Sequence, residues 1–159
     1  MSATPITASQ RYFRQGVSKV IWCPTLANYL SPTRTEINAG IDLSGEISGS
    51  SGWEVTSNTE DTNALGSIFT AKVMSNTTAG DSSLSFFSDF TSVDVRGILL
   101  RGVRGNIIWM DEGDVVGQLM DTFPVQVTSL PKQRDITAVA TIMANFATTR
   151  IPAENILIP

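Results

Sequence analysis

Residues 80–109 read GDSSLSFFSDFTSVDVRGILLRGVRGNIIW and change hydrophobic period twice within thirty residues. Ser83, Ser85 and Ser88 interleave with Leu84, Phe86 and Phe87 in the manner of a short strand. Over residues 91–100, Val95, Ile98 and Leu99 fall at i, i+3 and i+4, the stripe of a short amphipathic helix. Gly102 and Gly105 end that helix, residues 106–110 return to a β-type run, and the acidic turn Asp111-Glu112-Gly113-Asp114 closes it. One small helix is therefore expected inside a chain of strands.

The flanking sequence supports a β-rich reading. At 159 residues the chain suits one domain with its own core. Charged residues make up 16%, below the roughly 25% usual for soluble domains, so part of the surface is expected to be covered by something other than water. Ser, Thr, Asn and Gly fill the polar positions and suit strands and turns better than helices.

Working outward, residues 1–15 read as a polar N-terminal arm pinned by Tyr12 and Phe13, residues 16–151 as one β-rich domain, and residues 152–159 as an apolar tail that should be docked. Strands are expected at 18–22, 34–39, 41–47 and through Val55, with a single helical turn around Leu26, Ala27, Tyr29 and Leu30. The TSNTEDTNA run at 56–64 reads as a polar loop, 68–74 as a strand and 75–81 as a turn. Residues 115–127 form one bent strand or two short ones, because Pro124 demands an edge or a bulge. Residues 135–149 admit a helix through their alanines, but Ile136, Thr137, Val139, Thr141 and Ile142 are β-branched and favour a strand with two semi-apolar faces.

Several chemistries are excluded or weakened. Net charge is −4 and the pI about 4.7, so the basic footprint of a nucleic-acid-binding protein is absent. Without histidine there is no Ser-His-Asp or Cys-His machinery and no imidazole metal ligand, and Cys23 alone can form neither an intrachain disulfide nor a thiolate cluster. Asp111, Glu112 and Asp114 lack the extended oxygen-ligand loop of a calcium site and read as a solvated hairpin turn. Arg96, Arg101 and Arg104, set among glycines, lack the Gly-Lys-Ser/Thr of a phosphate loop and read as subunit contacts or helix C-terminal charges. Trp22, Trp53 and Trp109 read as core or interface anchors, with an exposed sugar-binding platform as the alternative. No cofactor, metal or membrane span is expected: no run approaches the roughly 18 apolar residues a span requires.

SLSFFSD at 83–89, VDVRG at 93–97, the Gly-rich step into a strand, the acidic turn and FPVQV at 123–127 with nearby Lys132 together resemble the major tail (tail tube) proteins of long-tailed, non-contractile bacteriophages, especially those of actinobacterial hosts. The resemblance spans residues 53–134 and contains no catalytic signature. It implies a mainly β fold, a β-sandwich or partly closed barrel with one short flanking α-helix. It also implies a structural virion protein, not an enzyme, that stacks as hexameric rings into a tube through which genomic DNA passes without specific binding. Tape measure and tail terminator proteins are the partners so implied, with assembly in the host cytoplasm. The expected subunit-interface residues are Tyr12, Phe13, Arg96, Arg101, Arg104, Ile156, Leu157 and Ile158. The alternatives are the tube of a related contractile injection machine and a β-sandwich binding module of the minor-tail or adhesin kind. A carboxylate-dependent hydrolase needs a converging acid pair, and no pair is singled out.

Overall fold

The computed structural model describes residues 3–159; Met1 and Ser2, which begin the predicted arm, lie outside the described residues. The strands are β1 (Lys19–Cys23), β2 (Ile41–Asp42), β3 (Ile47–Ser51), β4 (Val55–Thr62), β5 (Ala71–Ala79), β6 (Ser82–Phe87), β7 (Arg104–Met110), β8 (Leu119–Ser129), β9 (Lys132–Gln133), β10 (Thr141–Thr148) and β11 (Ala153–Leu157). The one α-helix among the described residues, α1, is Arg34–Asn38, and 3₁₀ turns occupy Ser44–Glu46 and Val95–Gly97. The fold is mainly β, as expected.

One antiparallel sheet runs β2-β1-β7-β8-β10-β6-β3, with β11 beside β8 and β9 beside β10. Its two outermost strands are neighbours in sequence, and this forces the sheet to curl. Six inter-strand spacings would hold β2 and β3 about 29 Å apart in a flat sheet. The five residue steps from Asp42 to Ile47 reach at most about 18 Å even when extended. The sheet therefore rolls into a partly closed barrel, with a seam between its end strands bridged by the Ser44–Glu46 turn.

Alternation explains which side chains go inside the roll. Val20 and Trp22, Leu84 and Phe86, Ile107, Phe123, Val125 and Val127, and Ile142, Ala144 and Phe146 form one inner cluster. The intervening Ile21, Cys23, Ile108 and Met110 face outward, where they meet Ile37 of α1, Met120 and the C-terminal Ile158 in a second cluster. Gly105 belongs to the inner packing, since a Cβ there would sit 2.4 Å from the Trp22 ring.

Pro124 lies in the middle of a central strand and is tolerated for a local reason. In an antiparallel ladder a residue's N–H and C=O point to the same edge. The Pro124 carbonyl accepts from Thr149 N at 2.9 Å, so its missing N–H faces the gap where β8 passes from β11, paired at Thr122, to β10, paired at Val125.

Several local expectations are corrected. Residues 34–39 are not a strand: Thr33 Oγ1 accepts from Glu36 N at 3.3 Å, and Glu36 Oε2 accepts from Thr33 N at 2.8 Å, a reciprocal capping box that starts α1. The helix expected over 91–100 contracts to the Val95–Gly97 turn: Val95 and Leu99 are buried and Ile98 packs partly against the core, while Val93 and Leu100 stay exposed. Of the helical turn expected around Leu26, Ala27, Tyr29 and Leu30, only Tyr29 and Leu30 turn, closed where Ser31 N donates to Asn28 O at 3.2 Å, and 135–140 is loop, with the strand confined to β10. The largest correction concerns 55–79. Residues 56–62 of the polar run lie in strand β4, and its partner β5 extends from Ala71 through the predicted turn to Ala79, making a hairpin separate from the main sheet.

Candidate assembly surfaces

The β4–β5 hairpin is an arm. Beyond its base both strands are exposed, and each pairs only with the other. At the base, Trp53 packs against Trp109, Phe123 and Phe146 with ring centroids 5.2–5.8 Å apart and donates from Nε1 to Ser83 O at 3.0 Å. Gly52, at φ +77°, lets the chain turn out beside Asp81, whose carbonyl would be 2.0 Å from any Cβ there. Along the arm, polar pairs hold the strands together: Ser57 with Thr77 at 3.0 Å, Asn58 with Asn76 at 2.9 Å, and Asp61 with Lys72 at 2.5 Å. At its tip the chemistry inverts, and Leu65, Ile68 and Phe69 stand in solvent.

The opposite end of the sheet carries a second apolar set. β6 leaves the arm at Ser82, beside Phe146, and ends at Phe87, beside Thr141. The loops there expose Phe90, Val93, Ile136 and Val139, and are joined where Ser88 N donates to Ala140 O at 3.0 Å. Like chemistry at opposite ends suits head-to-tail contact better than a self-complementary pair.

The N-terminal arm is anchored at its root alone. Arg14 pairs with Asp111, Tyr12 Oη donates to Glu112 Oε1 at 3.2 Å, and Ser18 Oγ donates to the Asp111 carbonyl at 2.6 Å. The acidic turn thus holds the arm's root. Residues 3–11 are exposed and belong to no element, and Ile6 is 97% exposed.

Between that root and β3 lies the seam, opened as a groove of about 560 Å³ walled by residues 14–20 and 44–50 and floored by Trp109. It continues into a hollow of about 290 Å³ where Arg14, Asp111 and Asp121 meet the Trp53–Trp109 pair. Burial raises the Asp121 carboxyl above its usual range, against the Asn155 N–H that bonds it at 2.7 Å. Trp109 Nε1 is buried without an acceptor.

The residues expected at interfaces are placed unevenly. Tyr12 and Phe13 are exposed on the arm's root, while Arg101 and Arg104 lie on the surface around the start of β7. Arg96 is engaged within its own turn: Nε and Nη2 bond Asp94 at 2.7 and 2.6 Å and, against the cost of burial, pull that carboxyl down to about 2. Of the C-terminal three, Leu157 is exposed, Ile156 is half-buried and Ile158 is inside the chain's own second cluster, which leaves Ile158 no surface for a partner. Arg34 ties the terminus down, bonding Pro159 O at 3.0 Å and Asp114 at 2.7 Å. The tip residues Leu65, Ile68 and Phe69 escaped the sequence reading. The available signal was two polar runs of similar length flanking ALGSIF.

Among the described residues no group of three or more His, Cys, Asp or Glu is placed to hold a metal ion, and no helix is long and apolar enough to cross a membrane. Cys23 is buried, its thiol pushed up to about 11 by desolvation and then by Glu36. Trp22 is inside the barrel and the other two tryptophans are half-buried at the arm's base, so they form no exposed platform.

Residues 6–159 match the family model described as phage tail tube protein. The chain belongs to the phage tail tube protein family. Among solved structures, this tail tube family member is similar to a chain in the cryo-EM structure of the anti-feeding prophage cap, the AFP tube terminating cap. The TM-score is 0.55 at 16% identity, covering 92% of this chain and 93% of that one. It is also similar to a chain of the 6-fold symmetrised anti-feeding prophage baseplate, with a TM-score of 0.50 at 13% identity, covering 94% and 95%. At such identities the likeness is one of fold. No curated protein matches the sequence. The family is a structural one, and the chain is a phage tail component.

Proposed function

We propose that this chain is the repeating subunit of a tail tube, closing into six-membered rings that stack into a conduit for DNA, with no catalytic step. The observation that carries the reading is the β4–β5 arm: exposed, mostly polar strands that leave Val73 and Met74 in solvent, and an apolar tip, anchored by Trp53 at a packed base. A two-stranded hairpin by itself is marginal in water, so its tip needs a neighbour to cover it. The apolar loops at the far end of the sheet give a head-to-tail contact a second pole.

The chain's acidity fits passage of DNA, since a neutral or negative lumen disfavours close contact with phosphate. The quoted sequence words favour a non-contractile tail and an actinobacterial host, with tape measure and terminator proteins as neighbours and assembly in the host cytoplasm before incorporation in the virion. The second reading is the tube of a related contractile injection machine; the fold shared with a chain from a tube terminating cap is compatible with a tube role in either. Electron microscopy of the purified chain tests both, with rings or tubes around a central hole as the expected result. Discrete monomers at high concentration would refute assembly, and a sheath decorating native tubes would select the second reading.

A further inference from the structure

We infer that the seam groove is a strand acceptor, and that residues 4–10 of a second copy insert there beside β3 and close the barrel in trans. The inference rests on the tube reading. It begins from β3, the last strand of the sheet, which bonds β6 on one edge and has no strand on the other among the described residues. Such an edge is a template for another chain. The facing wall supplies no strand: β1 begins at Lys19, β2 covers Ile21 and Trp22, and Val20 is already bonded by Ser44 Oγ at 2.8 Å and Leu43 N at 2.9 Å. Ser48, Gly49 and Ser50 have small side chains, and a Cβ on Gly49 would meet only Ser85, at 3.9–4.0 Å. A backbone can therefore approach closely.

Val20, Ile47 and Trp109 line the groove together, giving an inserted strand an apolar side to pack against. The N-terminal arm has the matching pattern. Residues 4–10, TPITASQ, carry no charge, and Ile6 and Ala8 alternate with Thr7 and Ser9. Laid in the groove, Ile6 and Ala8 face Val20, Ile47 and Trp109, and the hydroxyls face water. Pro5 sits at the strand's start, where its missing N–H does least harm. The arm's own root is held on Asp111 and Glu112 through Arg14 and Tyr12, so the chain leaves its domain there. The donor is then a second copy, and the contact is heterologous, propagating from subunit to subunit.

The test mixes two full-length variants, Ile6→Cys and Ser50→Cys, before assembly, followed by mild oxidation. Native Cys23 does not compete, being buried with its thiol pushed up to about 11. The expected result is a mixed disulfide dimer at least about tenfold more abundant than that from a control pair, Ile6→Cys with Leu157→Cys, because insertion raises the local concentration of the two thiols. Rings or tubes that form without an excess over the control overturn the inference and leave the tube reading standing. A chain that forms no rings or tubes and no mixed disulfide overturns both. In assemblies of the double variant, a disulfide confined within single chains shows insertion in cis and overturns the exchange between copies.

Discussion

The barrel and the hairpin arm are both antiparallel β-structure in one chain, and they are stabilised by different means. In the barrel, every long strand alternates, and one face enters a cluster containing Trp22, Phe86, Phe123 and Phe146. In the arm, β4 and β5 are mostly Ser, Thr and Asn, leave Val73 and Met74 exposed, and gain little from burial. Cross-strand polar pairs contribute roughly 0.2–1 kcal/mol each, against about 1.5–3 kcal/mol for a fully buried large apolar side chain. The barrel accounts for its own order, whereas the arm leaves Leu65, Ile68 and Phe69 uncovered at its end.

The largest expected effect lies where the two regions meet. Phe123 is 2% exposed and stacks edge-on against Trp53 at 5.2 Å, so Phe123→Ala opens a cavity under both the barrel wall and the arm's base. A loss of about 3–5 kcal/mol is expected, read from denaturant midpoints. A loss below about 1 kcal/mol would mean that Trp53 does not couple the arm to the core.

A smaller effect is expected at the Val95–Gly97 turn that lines the barrel's end. Asp94 caps this turn through Arg96 N at 3.0 Å and binds the Arg96 guanidinium. Asp94→Asn should destabilise the chain by about 1 kcal/mol at neutral pH. The sign of the pH dependence follows from the depressed carboxyl: its contribution is complete above the ordinary value of 3.8 and is lost as pH falls through about 2. The gap in melting temperature between wild type and variant should therefore close over that window. A gap that stays constant from pH 5 to 2 would assign the effect to lost shape, not lost charge.

The same contrast governs what the sequence makes legible. Alternation in β6, β7 and β10 follows from burial, so Leu84 and Phe86, Ile107, and Ile142, Ala144 and Phe146 could be placed on the core face from order alone. The arm gives no such signal, because a strand with water on both faces has no apolar period. Residues 56–64 accordingly resemble a loop. α1 was expected as a strand: Thr33 and Glu36, the two ends of its capping box, were the available signal, but Ile37 is its only buried side chain and leaves no stripe to read. At 91–100 the stripe exists, yet Gly97 and the exposed Val93 leave too few contacts to offset helix nucleation. The seam was not legible at all, since it depends on β2 and β3 being adjacent in sequence and outermost in the sheet.

The smallest effect on stability, and the sharpest separation of the two regions, belongs to the tip. Leu65, Ile68 and Phe69 are the exposed apolar residues of the segment linking β4 to β5, so a triple change to serine removes little that the isolated chain uses. Exposed substitutions of this kind shift stability by about 0.5 kcal/mol or less, and the thermal midpoint of the dilute chain should hardly move. On the tube reading assembly should fail, because the tip is an apolar surface with no cover within its own subunit. A midpoint lowered by several degrees would show that the tip folds back on its own barrel. Tubes of normal length from the variant would show that the arm's polar strands, and not its tip, make the contact.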